Sequence, residues 1–303
     1  MSDLDAIGAV NARCPAFYVE RELAKEIGQV YEFNTVANTT YGGVKERLGL
    51  EDGEEWKVLG VFGNDTVAET VAEMDEVGVD RMFIDDAAQW SHHHTETTNL
   101  CSIEHLAEMR DESEGRLVPG LGYDPYDIRG SLDRIERAFD DLDFGYIWFH
   151  PMTYGMKPTD ERCYPLYTKA EEIGIPVSFQ TGHSAEPLPS SPGHPMYADQ
   201  VAMDFPDLDI VLTHSGWPWT EEWCSMLWRF PNVYGCFGAY YPSFLPERQV
   251  QFIDSKIPHK VMWQTNGLDL ERHKQEMLDL PISDETTQMV LRDNAAELYD
   301  LDL

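Results

Sequence analysis

Short apolar runs alternate with longer amphipathic stretches along almost the whole chain. The runs are too short for helices, rich in β-branched residues and bounded by glycine, proline or polar clusters, so they read as strands. They are Ala6–Val10, Val79–Ile84, Leu117–Gly122, Tyr146–His150, Pro176–Gln180, Asp209–His214, Val233–Phe237 and Val261–Gln264. The stretches between them carry helical periodicity: Asp65–Glu76, Ser102–Arg110, Ser131–Asp141, Tyr164–Ile173, Tyr197–Phe205, Thr220–Trp228, Glu247–Ile253 and Leu270–Leu278. Strand and helix in strict alternation imply parallel strands joined by crossover helices. Eight such repeats predict an α/β fold closed as a TIM-type (β/α)8 barrel over residues 1–303, with its chemistry at the C-terminal strand ends. Two segments exceed an ordinary loop, about 15–64 and the Pro/Ser-rich 184–195, and both are expected to lie over that face as lids.

The stretch Val211–Thr220 shows the pattern most sharply: an apolar run ends on His214, and a Gly-Trp-Pro turn then opens a charged helix. A histidine there is placed for chemistry, or else it is a buried ring satisfied by a backbone carbonyl. Other strand ends also carry polar groups: Asn11 and Arg13, Asp85 and Asp86, Tyr123 and Asp124, His150, Gln180 with His183, Tyr240 with Tyr241, and Asn266. Asn11 and Arg13 are two apart, so a regular strand would turn both side chains into the barrel. Trp217 stands beside His214 and could flank a planar substrate.

Charge narrows the partners. The chain has 55 acidic against 22 basic residues, a formal net charge of −33, and only eight lysines. With 42% hydrophobic and 12% aromatic residues it is expected to fold, its acidic surface suited to a salty cytoplasm where self-repulsion is screened. Nucleic acid and anionic membranes are excluded as partners by the same charge. Five scattered cysteines without C-x-x-C spacing read as reduced thiols, and no run is apolar enough for a signal peptide or a membrane span.

Tyr164–Val177, the Gln180-Thr-Gly-His183 stretch, Pro195–Pro206, His214–Thr220 and the closing Asn294–Tyr299 together resemble the amidohydrolase-related branch of the amidohydrolase superfamily. That branch includes aminocarboxymuconate-semialdehyde and γ-resorcylate decarboxylases. The resemblance is strong from about residue 145 onward and weak before about residue 65. It implies a metal-dependent barrel enzyme, a hydrolase or carbon–carbon lyase, acting on small organic acids or amides. The family's ligands would be a His-x-His pair after the first strand, histidines after the fifth and sixth, and an aspartate after the eighth. This sequence has Asn11-x-Arg13, Gln180, His214 and Thr265-Asn266 in those places.

A guanidinium cannot ligate a divalent metal, and a neutral amide is a poor substitute for a carboxylate. Zinc lowers the pKa of bound water from about 15.7 to about 7, worth roughly 12 kcal/mol, against roughly 3 to 5 kcal/mol from a general base. Metal-hydroxide chemistry is therefore not expected, and no metal is assigned. Arg13 instead takes the cation's place and holds a small anionic substrate by its planar fork. His214 and His183 act as acid and base, and Asn11, Gln180, Asn266, His150 and Trp217 surround the substrate. The alternatives are one divalent metal such as zinc at a rearranged site drawn from His150, His183 and His214, metal binding by His92–His94, or a catalytically silent homologue that pairs with an active enzyme. In the silent homologue Arg13 would be neutralised by Asp85 or Asp124. A homo-oligomer is compatible with each reading.

The charge makes its own prediction. At about 0.01 M salt the Debye length reaches about 30 Å and acidic patches repel across the surface. The melting temperature should therefore climb steeply into molar potassium chloride, and equal values at low and molar salt would refute the salty-cytoplasm reading.

Overall fold

The computed structural model describes residues 7–303. Residues 1–6, including the expected strand start at Ala6, lie outside the described residues. Ten strands follow in chain order among these: β1 (Ala9–Pro15), β2 (Val79–Asp85), β3 (Gln89–Ser91), β4 (Glu96–Thr98), β5 (Leu117–Gly122), β6 (Tyr146–Phe149), β7 (Val177–Phe179), β8 (Ile210–Leu212), β9 (Val233–Phe237) and β10 (Val261–Trp263). Eight of them form one parallel sheet in the order β1-β2-β5-β6-β7-β8-β9-β10, the order of a (β/α)8 barrel. β3 and β4 make a separate antiparallel hairpin with His92–His94 in its exposed turn.

The edge between β10 and β1 is bridged by side chains. Asn11 Oδ1 accepts from the Thr265 amide at 3.0 Å, its Nδ2 donates to Thr265 Oγ1 at 2.8 Å, and the Asn266 amide donates to the Arg13 carbonyl at 3.2 Å. One asparagine thus satisfies groups that a strand ladder would otherwise pair.

Strands covered on both faces read as continuous apolar runs, and β1 is buried along its whole length. Val10, Phe83, Tyr146, Val211, Cys236 and Met262, from six strands, pack in one cluster, with Ala295 and Tyr299 from the C-terminal segment against it. A larger cluster lies between the strands and the helices. The helices are α1 (Ala24–Gly28), α2 (Tyr31–Asn38), α3 (Gly42–Leu48), α4 (Trp56–Leu59), α5 (Val67–Val77), α6 (Ile103–Glu112), α7 (Ile128–Asp141), α8 (Tyr164–Ile173), α9 (Ala198–Asp204), α10 (Thr220–Arg229), α11 (Glu247–Lys256), α12 (Leu270–Leu278), α13 (Asp284–Gln288) and α14 (Asn294–Leu298). Side-chain caps start several of them: Thr66 accepts from the Glu69 amide, Ser102 from His105, Asp127 from Gly130 and Asp269 from Arg272. α5 ends at Gly78, whose φ of +76° a side chain would resist. No helix among the described residues is long and apolar enough to cross a membrane.

One strand departs from expectation. β1 starts at Ala9 and continues to Pro15, and its register against β2 shifts between Ala9 and Val10 and again between Asn11 and Cys14. A bulge of this kind breaks the two-residue alternation. Asn11 therefore faces its seam partner Thr265, whereas Arg13 reaches Asp85 of β2. The segment after β1 folds into α1–α4. Lys45 Nζ ties it together, meeting Asn38 Oδ1 at 2.9 Å, Glu55 at 2.9 Å and Asp52 at 3.2 Å. Buried Glu32 fastens it to the β3–β4 hairpin, accepting from Ser91 Oγ at 2.9 Å and the His93 amide at 3.1 Å.

Candidate active site

A cavity of about 740 Å³ opens at the C-terminal ends of the barrel strands, walled by the barrel on one side and by the α1–α4 insertion on the other. Arg13, His150, Gln180, His183, His214 and Asn266 all line it. Asn11 is spent on the seam, and Trp217, 40% exposed, lines a smaller hollow beside Tyr240 and Phe244. The two remaining candidates are therefore not brought to the cavity wall.

Arg13 sits at the centre with a side chain only 6% exposed. Its Nε donates to Asp85 Oδ2 at 2.6 Å and its Nη2 to Asp85 Oδ1 at 3.0 Å, a two-point pair with a carboxylate that is fully buried. Tyr146 Oη donates to Asp85 at 2.8 Å and the Ala87 amide at 2.9 Å, so Asp85 accepts four hydrogen bonds. Arg13 Nη1 donates to Asn266 Oδ1, and the guanidinium lies over Trp148, 3.9 Å from the ring centroid. Of the acids foreseen as neutralising partners, Asp85 holds the arginine, while Asp124 accepts from Thr97. A guanidinium has five N–H groups, so three are used here and one remains on each terminal nitrogen.

The histidines around this cation are held neutral. Burial, then the charge of Arg13, push His214 well below its ordinary value, and the same two causes bring His150 down to about 3. Burial alone lowers His183. The His214 tautomer follows from its partners. The Thr213 hydroxyl already donates to the Phe179 carbonyl at 2.9 Å, so toward His214 Nδ1 at 3.1 Å it can only accept. Nδ1 therefore carries the proton, leaving Nε2 as the basic nitrogen, 3.4 Å from the Gln264 amide nitrogen. The turn that presents this ring is unusual, with φ of +57° at His214 and +53° at Ser215. His183 Nε2 meets the Tyr240 hydroxyl at 2.8 Å, and its ring packs edge-on against Trp217 at 4.5 Å.

The loop after β7 adds a residue that sequence reading missed. Glu186 is buried and lines the cavity; burial raises its carboxyl to about 7 despite favourable contacts with its own backbone, Gln89 and Arg13. It bonds the Ser184 hydroxyl, which lies 3.4 Å from His150 Nε2. The only cue in the sequence is a lone acid in a Pro/Ser-rich loop.

The donor set does not fit a divalent cation. Among the described residues no three His, Cys, Asp or Glu side chains gather closely enough to hold one, which includes both the His150, His183, His214 set and the exposed His92–His94 turn. Arg13 would also repel it.

A family model described as Amidohydrolase matches residues 64–301. Among solved structures, a TIM-barrel protein from Bordetella bronchiseptica is similar with a TM-score of 0.73 at 21% identity, covering 96% of this chain and 98% of that one. A 2,6-dihydroxybenzoate decarboxylase from Rhizobium superposes with a TM-score of 0.68 at 14% identity, over 98% of this chain and 100% of that one. A 5-carboxyvanillate decarboxylase from Novosphingobium aromaticivorans, solved with manganese, gives 0.69 at 14% identity, over 98% and 97%. Protein fluG from Emericella nidulans is 24% identical over 103 residues, covering 33% of this chain and 12% of that protein.

Two outcomes are expected from this geometry. Arg13→Met strands the buried Asp85 charge and should cost roughly 3 to 5 kcal/mol in a denaturant melt; a loss under about 1 kcal/mol, typical of an exposed pair, would mean that solvent reaches Asp85. Glu186 gives a pH signature. Its folded value of about 7 lies above the roughly 4.3 of an unfolded glutamate, so between those limits the unfolded chain releases a proton that the folded one keeps. Wild-type stability then falls as pH rises through that window and levels off above it. Glu186→Gln carries no such proton and should gain on the wild type by on the order of 3 kcal/mol between about pH 4.5 and pH 8. Melts at the two pH values in molar salt measure this, and an unchanged difference would place Glu186 in water.

Proposed function

This chain belongs to the amidohydrolase family, and from that premise we propose that it is an enzyme, a hydrolase or carbon–carbon lyase, acting on a small carboxylated molecule without a divalent metal. The observation that carries this reading is Arg13, a buried guanidinium on the cavity wall with one N–H left on each terminal nitrogen after Asp85 and Asn266 are served. Two such donors suit a carboxylate. The balance of charge in the lining agrees: it holds three arginines, Arg13, Arg47 and Arg272, against Glu186 and Asp269, in a chain whose acids outnumber bases 55 to 22. The solved relatives named for decarboxylating dihydroxybenzoate and carboxyvanillate also take carboxylated aromatics.

In this reading Nε2 of the neutral His214 takes a proton from the substrate or from water and returns it. His183, with Tyr240 on its ring, is the second carrier, and Gln180, Asn266 and His150 are uncharged hydrogen-bonding neighbours. A positioned base of this kind contributes about 10²- to 10⁴-fold, so the substrate must itself be activated.

The test compares benzoate with its neutral analogue benzamide by calorimetry on chelator-treated protein in molar potassium chloride. Benzoate should bind at least about tenfold more tightly, a difference of about 1.4 kcal/mol. Arg13→Lys should erase the preference, because an ammonium donates from a single point and cannot hold two carboxylates in the two-point geometry of a guanidinium. Recovery of binding only on adding a divalent metal would refute the metal-free part. Equal binding of the two probes, or none, would leave the silent-partner reading ahead.

A further inference from the structure

The cavity is much larger than a simple aromatic acid requires. A space of about 150 Å³ holds benzene, whereas this one measures about 740 Å³, the size that takes a drug-like molecule. The barrel brings the polar groups Arg13, His150, Gln180, His214 and Asn266, and the insertion brings mainly apolar side chains, Phe33, Val36, Val44, Leu48, Leu59 and Phe62, together with Thr40, Tyr41 and Arg47. Leu48 is 43% and Phe62 38% exposed, so large apolar side chains at this wall are left facing open space. Uncovered apolar surface of this kind marks a place where an apolar partner releases water. The wall is also held in position, by Lys45 across α2, α3 and the following loop, and by buried Glu32 on the β3–β4 hairpin.

We propose that the substrate is an amphipathic monocarboxylate, with its carboxylate on the two free N–H groups of Arg13 and an apolar tail running out beneath α2–α4. The proposal rests on the carboxylate reading above and adds the tail. The occupant follows from the two ends of one cavity: a buried cation with unused donors at the barrel, and a wall rich in apolar side chains, Leu48 and Phe62 exposed among them, at the insertion. A small acid would fill only the barrel end and leave Leu48 and Phe62 wet. A purely apolar ligand would leave the Arg13 donors unpaired. The insertion acts here as a specificity element, and Phe33, Leu48 and Phe62 touch the tail rather than the reacting atoms.

Calorimetry with n-alkanoates from butanoate to decanoate and the matching n-alkanols, on the full chain in molar potassium chloride, separates the two parts. Dissociation constants for the acids should fall about fourfold per added methylene, the gain of burying one CH2, until the wall is covered. Each acid should bind more tightly than its alcohol. Leu48→Ser and Phe62→Ser, at partly exposed positions where folding is little affected, should flatten the dependence on chain length. Acids that bind without regard to length, or a slope unchanged in both variants, would overturn the tail site while leaving the carboxylate reading intact. Alcohols that match the acids at every length would overturn the carboxylate head and leave an apolar site. Absence of binding throughout the series would overturn both.

Discussion

The ion pair between Arg13 and Asp85 is the constraint around which the candidate site is arranged. Both charges are out of water, and a buried pair repays its desolvation only when its remaining groups are also satisfied. Asp85 meets that condition with four donors, whereas Arg13 has Asn266 at one end and the face of Trp148 beneath it and keeps one N–H unbonded on each terminal nitrogen. That arrangement recruits β1, β2, β6 and the loop after β10 to one point, and the Asn11 seam closes the barrel beside it. Its electrostatic reach extends to the imidazoles. His214 and His150 are deprived of their usual basicity first by burial and then by the guanidinium, so the cavity floor offers neutral rings beside a fixed cation.

This cation also accounts for the donor set. A divalent metal at the same point would meet a permanent positive charge. The positions that the family resemblance marks for ligands hold Asn11, Arg13, Gln180, His214 and Asn266, and in the structure Arg13 and Asn266 bond to each other. Arg13 and Asn266 form one unit with Asp85, built to place a guanidinium and to spare part of it. Glu186 adds a carboxyl that burial keeps protonated up to about neutral pH and that accepts from the Ser184 hydroxyl, itself 3.4 Å from His150 Nε2.

The barrel was legible because its strands are buried on both faces and its helices are amphipathic, so apolar runs and periodic stretches alternate without interruption. His214 and Gln180 were legible for the same reason, since each follows directly on such a run. The pairing of Arg13 was less so. Regular alternation puts Asn11 and Arg13 on one side of the strand, but the register shift between Asn11 and Cys14 separates them, and a bulge leaves no mark in hydrophobic pattern. The β3–β4 hairpin, three residues a side, is too short to show a period. Glu186 was hidden because a buried carboxyl in a loop is defined by what surrounds it, here Ser184, Gln89 and the cavity, and none of those is near-periodic in the chain.

The guanidinium bears as well on which reaction the family fold performs here. Binding energy accelerates a reaction only when it is greater in the transition state than in the ground state. A carboxylate that leaves as neutral carbon dioxide loses its charge along the way, so a fork that holds it tightly stabilises the reactant and opposes its departure. A carboxylate that stays on the substrate through the reaction feels no such penalty and is oriented for attack elsewhere. In the proposed function the free N–H groups of Arg13 therefore suit a retained anion. Arg13, fixed between Asp85 and Asn266, is in this way a permanent cation placed beside neutral histidines.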